Sequence, residues 1–417
     1  MTWKPRLIDP DELRTVLDLT AVAFGAGPRA PDDYRAQAEL VVEPDRTFVV
    51  DDGGVLAGTA STFSFGLALP GSATVPAAAI TEVGVLPSHR RRGIFGSLMA
   101  AVVDQAVEWG EPVAGLTASE GGIYRRFGFG VATRFQSLRL DTWRAGTVAG
   151  AAIGSRDVTG GVRLIDEDEA ARALPAVWEH HWRRIPGELS RNARWWQALA
   201  LDPESEREGA SRRFVVVHES PGGGPPDGCA IYRIRQGWAD DGTRHELRVD
   251  TVAGADDGVM ASLVRFLIDL DLVGTLRWDR APLDLPLRWQ LADPRALVTS
   301  GERDHLWLRP LDVARCLAAR SYATAGTLVV EVVDPVRPEV GGRFLLDAGP
   351  EGAECRRTDA TADVVVHVAD LGALLLSGVA WATLQRAGLV DEGRSGAVDR
   401  ADALFRPRRA PFCGTDF

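Results

Sequence analysis

The apolar pattern changes period sharply between residues 80 and 130. Residues 80–86 form an apolar, β-branched run stopped by Pro87, which predicts a buried strand. Over residues 94–109 apolar positions recur every fourth residue (Ile94, Leu98, Val102, Ala106), which predicts a helix ended by Gly110-Glu111-Pro112. Between the two lies Ser88-His89-Arg90-Arg91-Arg92-Gly93. A strand–turn–helix order directs free backbone N–H groups and the positive end of the helix dipole at one point, where anions bind. Gly93 lets a phosphate come close with no Cβ in the way. A second apolar stretch leads to Tyr124, just ahead of Arg126-Phe127-Gly128-Phe129-Gly130.

Elsewhere the pattern divides the chain into three expected units, 1–145, 156–302 and 303–417, with a Gly/Ala-rich linker over 144–155. The first opens with a strand over 6–8, a helix over 11–24 and strands over 47–50 and 56–63. The second repeats that opening, since Gly161-Val-Arg-Leu-Ile-Asp-Glu-Asp-Glu-Ala170 echoes Pro5-Arg-Leu-Ile-Asp-Pro-Asp-Glu-Leu13. Its strand at 249–252 and helix over 258–270 copy the anion-binding order, but without an arginine turn or a phosphate glycine. The third unit reads as strands over 327–333 and 364–368 and one amphipathic helix over 371–387.

Composition narrows the function. A chain of 417 residues is too long for one ordinary core, and its apolar and charged fractions are those of a soluble globular protein. The net charge of −11 disfavours nucleic acid as a partner and favours cationic ligands. No run reaches the length of a membrane span, and the first ten residues lack the apolar core of a secretory signal. The cysteines, Cys229, Cys316, Cys355 and Cys413, show no CxxC spacing, so neither zinc nor a disulfide framework is expected and the cytoplasm is the simplest location. His180-His181 lacks a third ligand at useful spacing and reads as a surface helix, so no metal is expected.

The segment Arg90 to Gly93 resembles the pyrophosphate-binding motif of the GNAT superfamily of N-acetyltransferases, R/Q-x-x-G-x-G/A, with Phe95 standing where glycine or alanine is usual. Thr117-Ala-Ser-Glu-Gly-Gly-Ile-Tyr-Arg-Arg-Phe-Gly-Phe-Gly130 resembles the ASE-x-x-IY-x-RFGYG segment of the enhanced intracellular survival (Eis) family, multi-site amine acetyltransferases related to GNAT enzymes. The triple arginine and a bulky residue at the motif's last position are usual in that family. The resemblance implies an α/β (α+β) fold: two GNAT-type folds in tandem, then a sterol-carrier-protein-like domain. It implies acetyl-CoA as co-substrate, held by Val83, Gly84 and Val85, by Arg90, Arg91, Arg92, Gly93 and Ile94, and by Ser119 and Glu120. Backbone N–H groups where the first strand bulges, at Val83–Val85, would align the pantetheine arm and hold the developing oxyanion. It further implies Tyr124 as the acid protonating the departing thiolate, Trp195, Trp196 and Asp416 as substrate contacts, and a homohexamer of trimers.

The general base is open among Glu82, Glu120, water and, by the resemblance, the carboxylate of Phe417 itself. The tail carries Phe412, Cys413 and Phe417, an apolar set built for burial, whereas an ordinary terminus frays. An α-carboxyl titrates near about 3.5, so a base role requires burial to raise it. Asp32 and Asp33 read as a loop after Pro31, solvated or lending charge to a polyamine. The expected activity is transfer of acetyl groups to polycationic amines such as aminoglycosides in a ternary complex. Its rivals are acetylation of protein lysines and a non-catalytic lipid- or partner-binding role.

Overall fold

The computed structural model describes residues 3–148, 161–220, 222–239 and 242–417, so of the expected linker only 144–148 lies among the described residues. The chain forms two compact units: Met1–Thr133 with Ile185–Leu189 and Asp304–Phe417, and Arg134–Arg184 with Ser190–Arg303.

In the first unit, β1 (Arg6–Leu7), β2 (Thr47–Asp51), β3 (Leu56–Ala68), β4 (Thr74–Val85), β5 (Val113–Thr117) and β6 (Gly130–Val131) make one sheet. Its order is β1-β2-β3-β4-β5, then Leu306–Pro310, then β6. Residues that open the expected third unit therefore complete the N-terminal sheet. Arg134–Asp141, grouped by sequence with the N-terminal unit, pair instead in the sheet of the second unit.

Helices α1 (Leu13–Phe24), α2 (Asp32–Val41) and α3 (Ile94–Glu108) flank this sheet. α3 buries Ile94, Leu98, Met99, Val102 and Ala106 against Ala78, Ile80, Ala114 and Leu116. Strand alternation turns Ala77, Ala79 and Thr81, and Thr117 on β5, to the opposite face. α1 lies on that face: a Cβ on Gly84 would stand 3.0 Å from Ala23 and 3.5 Å from Leu19. Asp32 and Asp33 form the first turn of α2 rather than a loop, which their charge suits.

One irregularity shapes the sheet. Thr59 pairs with Gly84 but Ser61 pairs with Thr81, so Glu82 and Val83 together oppose Ala60. Glu82 takes a left-handed φ of 50°, costly for a residue with a Cβ. Parallel pairing of β4 with β5 ends at Ile80 opposite Leu116, and the strands diverge beyond it.

The C-terminal residues add a sheet of order Gly352–Arg357, Gly342–Gly349, Gly326–Val333, Val364–His367, Val390–Glu392. Glycines set its approach to the first sheet. A Cβ on Gly128 would fall 1.5 Å from Nη1 of Arg309, and one on Gly130 would fall 1.8 Å from the Ala369 carbonyl oxygen. Arg309, 1% exposed, donates to the Phe127 carbonyl at 2.7 Å and to Asp334 at 2.6 Å. The single helix expected over 371–387 is two, Val368–Leu374 and Trp381–Arg386. The break falls at Ser377, φ 63°, and Gly378, whose Cβ would stand 2.4 Å from the Ala132 carbonyl, so the chain leaves the helix to pass that strand end.

The second unit has its own sheet, of order Leu297–Asp304, Arg134–Asp141, Val273–Ala281, His245–Gly254, Gly228–Arg235, Phe214–His218, Val162–Ile165. It repeats the first unit's irregularity. Ile231 pairs with Thr251 and Tyr232 with Val249, leaving Asp250 as the extra residue, and parallel pairing ends at Arg248 opposite Arg277. The helix that follows, Asp257–Ile268, is capped by Asp256, whose carboxylate accepts from Val259 N–H at 2.9 Å. An acid occupies the place where the first unit leaves a helix start open.

Gly130→Ala is expected to destabilise the first unit by roughly 3 kcal/mol, because the Ala369 carbonyl is backbone and cannot move aside; urea unfolding followed by tryptophan fluorescence measures the loss.

Candidate acetyl-CoA site

The turn between β4 and α3 is a concave run of backbone N–H groups. Arg91 at φ 63° and Gly93 at φ 87° are left-handed, the alternation that turns successive N–H groups to one side. α3 starts from Gly93 with no side-chain cap, so its first-turn N–H groups lack helical partners. Among the described residues nothing lies within 4 Å of a Cβ placed on Gly96. This cradle fits a pyrophosphate. The three arginines divide their work: Arg90 donates to the Ala23 carbonyl at 2.8 Å, tying the end of α1 to the loop, Arg92 stands 3.6 Å from Asp52, and Arg91 is exposed. Trp3 closes the loop's far side by donating to the Arg92 carbonyl at 2.7 Å.

Phe95, the residue that departs from the motif, turns into a cluster with Phe127 at 5.4 Å and Tyr124 at 6.0 Å between ring centroids. Phe129 meets Tyr124 edge-on at 6.4 Å. Tyr124 is 6% exposed; burial raises its hydroxyl above the usual phenol range, the neighbouring Glu120 carboxylate adds to this, and a hydrogen bond with Ser119 opposes it. A phenol so placed holds its proton at neutral pH and can give it up to a stronger base. Glu120 is exposed, and its carbonyl accepts from Ile123 N–H.

The C-terminus returns to the point where β4 and β5 part. Thr117 Oγ1 donates to a terminal oxygen of Phe417 at 3.0 Å, across 300 positions of sequence. The Phe417 ring meets Phe65 edge-on at 5.8 Å. Thr117 and Phe65 both lie on the face opposite α3, so the terminal carboxylate stands on the α1 side of the sheet. His305 meets the Thr415 carbonyl at 3.1 Å, and Glu188, wholly buried, accepts from Gly414 and Thr415. Asp416 is exposed.

Glu82 projects from the bulge to the same face and accepts from the Tyr34 hydroxyl at 2.5 Å. Burial raises it above the usual carboxylate range, against the Tyr34 and Thr20 hydroxyls. Trp195 and Trp196 belong to the second unit, on the helix Ala193–Leu201. There Trp196 meets Trp178 at 6.2 Å and the Arg191 guanidinium lies 3.5 Å from the Trp178 ring. His180 is exposed and His181 is buried beside the Gly254 backbone. Among the described residues no group of three His, Cys, Asp or Glu side chains could hold a metal ion.

Sequence reasoning missed Thr117, His305 and Glu188. Glu188 follows a Pro-Gly pair between two helices, where an acid ordinarily reads as a solvated turn.

Known proteins resemble the chain along its whole length. A family described as an acetyltransferase (GNAT) domain matches residues 4–132, a second of the same description matches 187–310, and a sterol carrier protein domain matches 313–414. N-acetyltransferase Eis of Mycobacterium bovis is 34% identical over 387 residues, covering 91% of this chain and 90% of that one. The chain belongs to the Eis family of N-acetyltransferases. An uncharacterized N-acetyltransferase of Streptomyces coelicolor is 37% identical over 99% of both chains. The crystal structure of Eis1 from Mycobacterium abscessus, 33% identical, superposes with a TM-score of 0.86 over 99% of this chain and 100% of that one. This Eis-family chain is thus an acyltransferase of two acetyltransferase folds and a sterol-carrier domain, and its family implies acetyl-CoA as the donor. No helix among the described residues is long and apolar enough to cross a membrane.

Glu82 yields a stability test. Its folded pKa is raised, so the fold binds its proton more tightly than the unfolded chain does. The stability from that proton is present below the ordinary carboxylate range and is lost as pH rises through the raised value. Glu82→Gln keeps an acceptor for Tyr34 without the buried charge, so its melting temperature is expected to rise relative to the native protein between pH 5 and 8, by on the order of a few degrees. Thermal melts across that range check the sign.

Proposed function

We propose that this protein transfers acetyl groups from acetyl-CoA to amines of polycationic small molecules such as aminoglycosides, directly, with both substrates bound. The observation that carries the reading is the terminal carboxylate of Phe417, anchored by Thr117 at the parting of β4 and β5, where the chain leaves β5 for Tyr124 and β4 leads to the open start of α3.

The roles follow from charge. The cradle from Arg91 to Gly96 binds pyrophosphate through backbone N–H groups. The bulge at Glu82 and Val83 frees N–H groups of β4 from the ladder to align the pantetheine arm and stabilise the oxyanion as the amine attacks. The Phe417 carboxylate accepts the amine proton and Tyr124 donates to the departing thiolate, so one proton enters and one leaves. Cys413 is fully buried and Cys229 and Cys316 are buried, which favours direct transfer over an acyl-enzyme. The net charge of −11 supports a cationic acceptor over nucleic acid. The resemblance also suggests a homohexamer working in the cytoplasm.

Thiol release from acetyl-CoA with a panel of aminoglycosides and simple polyamines tests this reading. Native turnover is expected to fall about a hundredfold or more in Tyr124→Phe, with little change in KM for acetyl-CoA. A variant extended by two residues past Phe417 is expected to collapse to a similar degree. Native turnover in the extended form with loss in Glu82→Gln would move the base to Glu82. No release with any amine, beside acetylation of lysine peptides, would replace the acceptor class.

A further inference from the structure

We propose that Glu188 is the positioning residue for the terminal carboxylate, holding the last four residues so that Phe417 ends at Thr117. This rests on the reading that the terminal carboxylate takes part in the transfer.

Glu188 is 0% exposed, and a buried carboxylate is costly unless its oxygens are well supplied with donors. Here most of the supply comes from the tail. Gly414 N–H donates to Oε2 at 2.7 Å; Thr415 N–H and Thr415 Oγ1 donate to Oε1 at 3.2 and 2.8 Å. Leu189 N–H adds a bond to Oε1 at 3.0 Å, and Cys413 Sγ lies 3.9 Å from the same oxygen. Charge-assisted bonds of this kind are the stronger ones, and their convergence on one side chain opposes the fraying of a free terminus.

The segment carrying Glu188 is anchored without the tail. Gly187 N–H donates to the Ala68 carbonyl at 2.8 Å and Ala68 N–H to the Glu188 carbonyl at 3.0 Å, so this segment is pinned to the end of β3. Gly187, at φ 96°, admits the tail: its Cβ would stand 3.2 Å from the Phe412 carbonyl oxygen and 2.7 Å from Thr133. Phe412 N–H then donates to the Pro186 carbonyl at 2.9 Å. With Thr415 fixed by Glu188 and His305, and Phe417 fixed by Thr117, only Asp416 spans the gap. At about 3.5 Å per residue the terminal carboxylate has little room to wander. Glu188 touches neither of the reacting groups and acts through this lever.

Cys413 gives a readout independent of turnover. It is fully buried beside Glu188 and becomes reachable when the tail lifts. Full-length Glu188→Gln replaces one carboxylate oxygen with an NH2 facing an N–H donor. It is expected to raise the rate of iodoacetamide labelling at Cys413, followed by peptide mass, about tenfold or more, and to lower kcat comparably with KM for acetyl-CoA within about twofold. Thr415→Val removes one of the donors and is expected to shift both readouts the same way by a few-fold; it carries the test if Glu188→Gln does not fold. Glu188→Asp keeps the charge and is expected to recover part of both.

Labelling unchanged in Glu188→Gln and Thr415→Val overturns the clamp, whatever happens to turnover. Labelling raised with kcat unchanged leaves a clamp but removes the terminal carboxylate from the chemistry, and Glu188 with it as a positioning residue. A fall in kcat that tracks melting temperature, with labelling rising equally at Cys229, Cys316 and Cys355, assigns Glu188 to general stability and overturns the proposal.

Discussion

The left-handed backbone at Glu82 is the constraint around which the first unit is arranged. A regular β4 would continue its ladder to both neighbours, and no N–H group would be free. The extra residue breaks the register on one side at Ala60 while the parallel pairing to β5 ends on the other, so the sheet opens without losing its core. Thr117, the residue just past the last parallel pair, holds the Phe417 carboxylate on the α1 side of that opening, and the uncapped start of α3 follows β4 on the other side. A register shift of the same kind recurs at Asp250 in the second unit, without the left-handed backbone, so the extra residue is a habit of the fold. What separates the two copies is the helix start, bare at Gly93 and filled by an acid at Asp256.

The sterol-carrier part is joined to the first sheet by backbone in contact with backbone. Gly128, Gly130, Gly372 and Gly378 all face carbonyls or a guanidinium at distances a methyl group would violate. Into this joint two buried cations are set. Arg309 pairs with Asp334 and the Phe127 carbonyl. Arg320 donates instead to the Leu375 carbonyl at 2.5 Å and to Ser377 at 3.0 Å, at the negative end of the helix Val368–Leu374, and burial draws it down to about 10.

Local signals reached the sequence intact. The four-residue spacing from Ile94 to Ala106 and the arginine–glycine turn located α3 and its cradle, because both depend on neighbours a few residues apart. The RFGFG glycines were visible but their reason was not, since it lies with Arg309 and Ala369. The helix over 371–387 failed on the same ground: its periodicity is helical, and a carbonyl at Ala132 breaks it. Asp32 and Asp33 looked like loop residues because acids after proline also suit a turn; α2 uses them as its first turn. Strand exchange between sheets left no mark, since Leu306–Pro310 and Arg134–Asp141 are equally good strands for either one.

That exchange ties folding to the order of synthesis. β5 and β6 are separated in the finished sheet by Leu306–Pro310, so β6 has no strand partner in this sheet until those residues exist. A ribosome adding about 5–20 residues per second needs on the order of ten seconds or more to travel from the end of β5 to that strand. Throughout that interval the nascent first sheet carries an open edge at β5, whose middle residues are fully buried in the finished protein. The first sheet to be synthesised is therefore closed only after the whole second unit has been made.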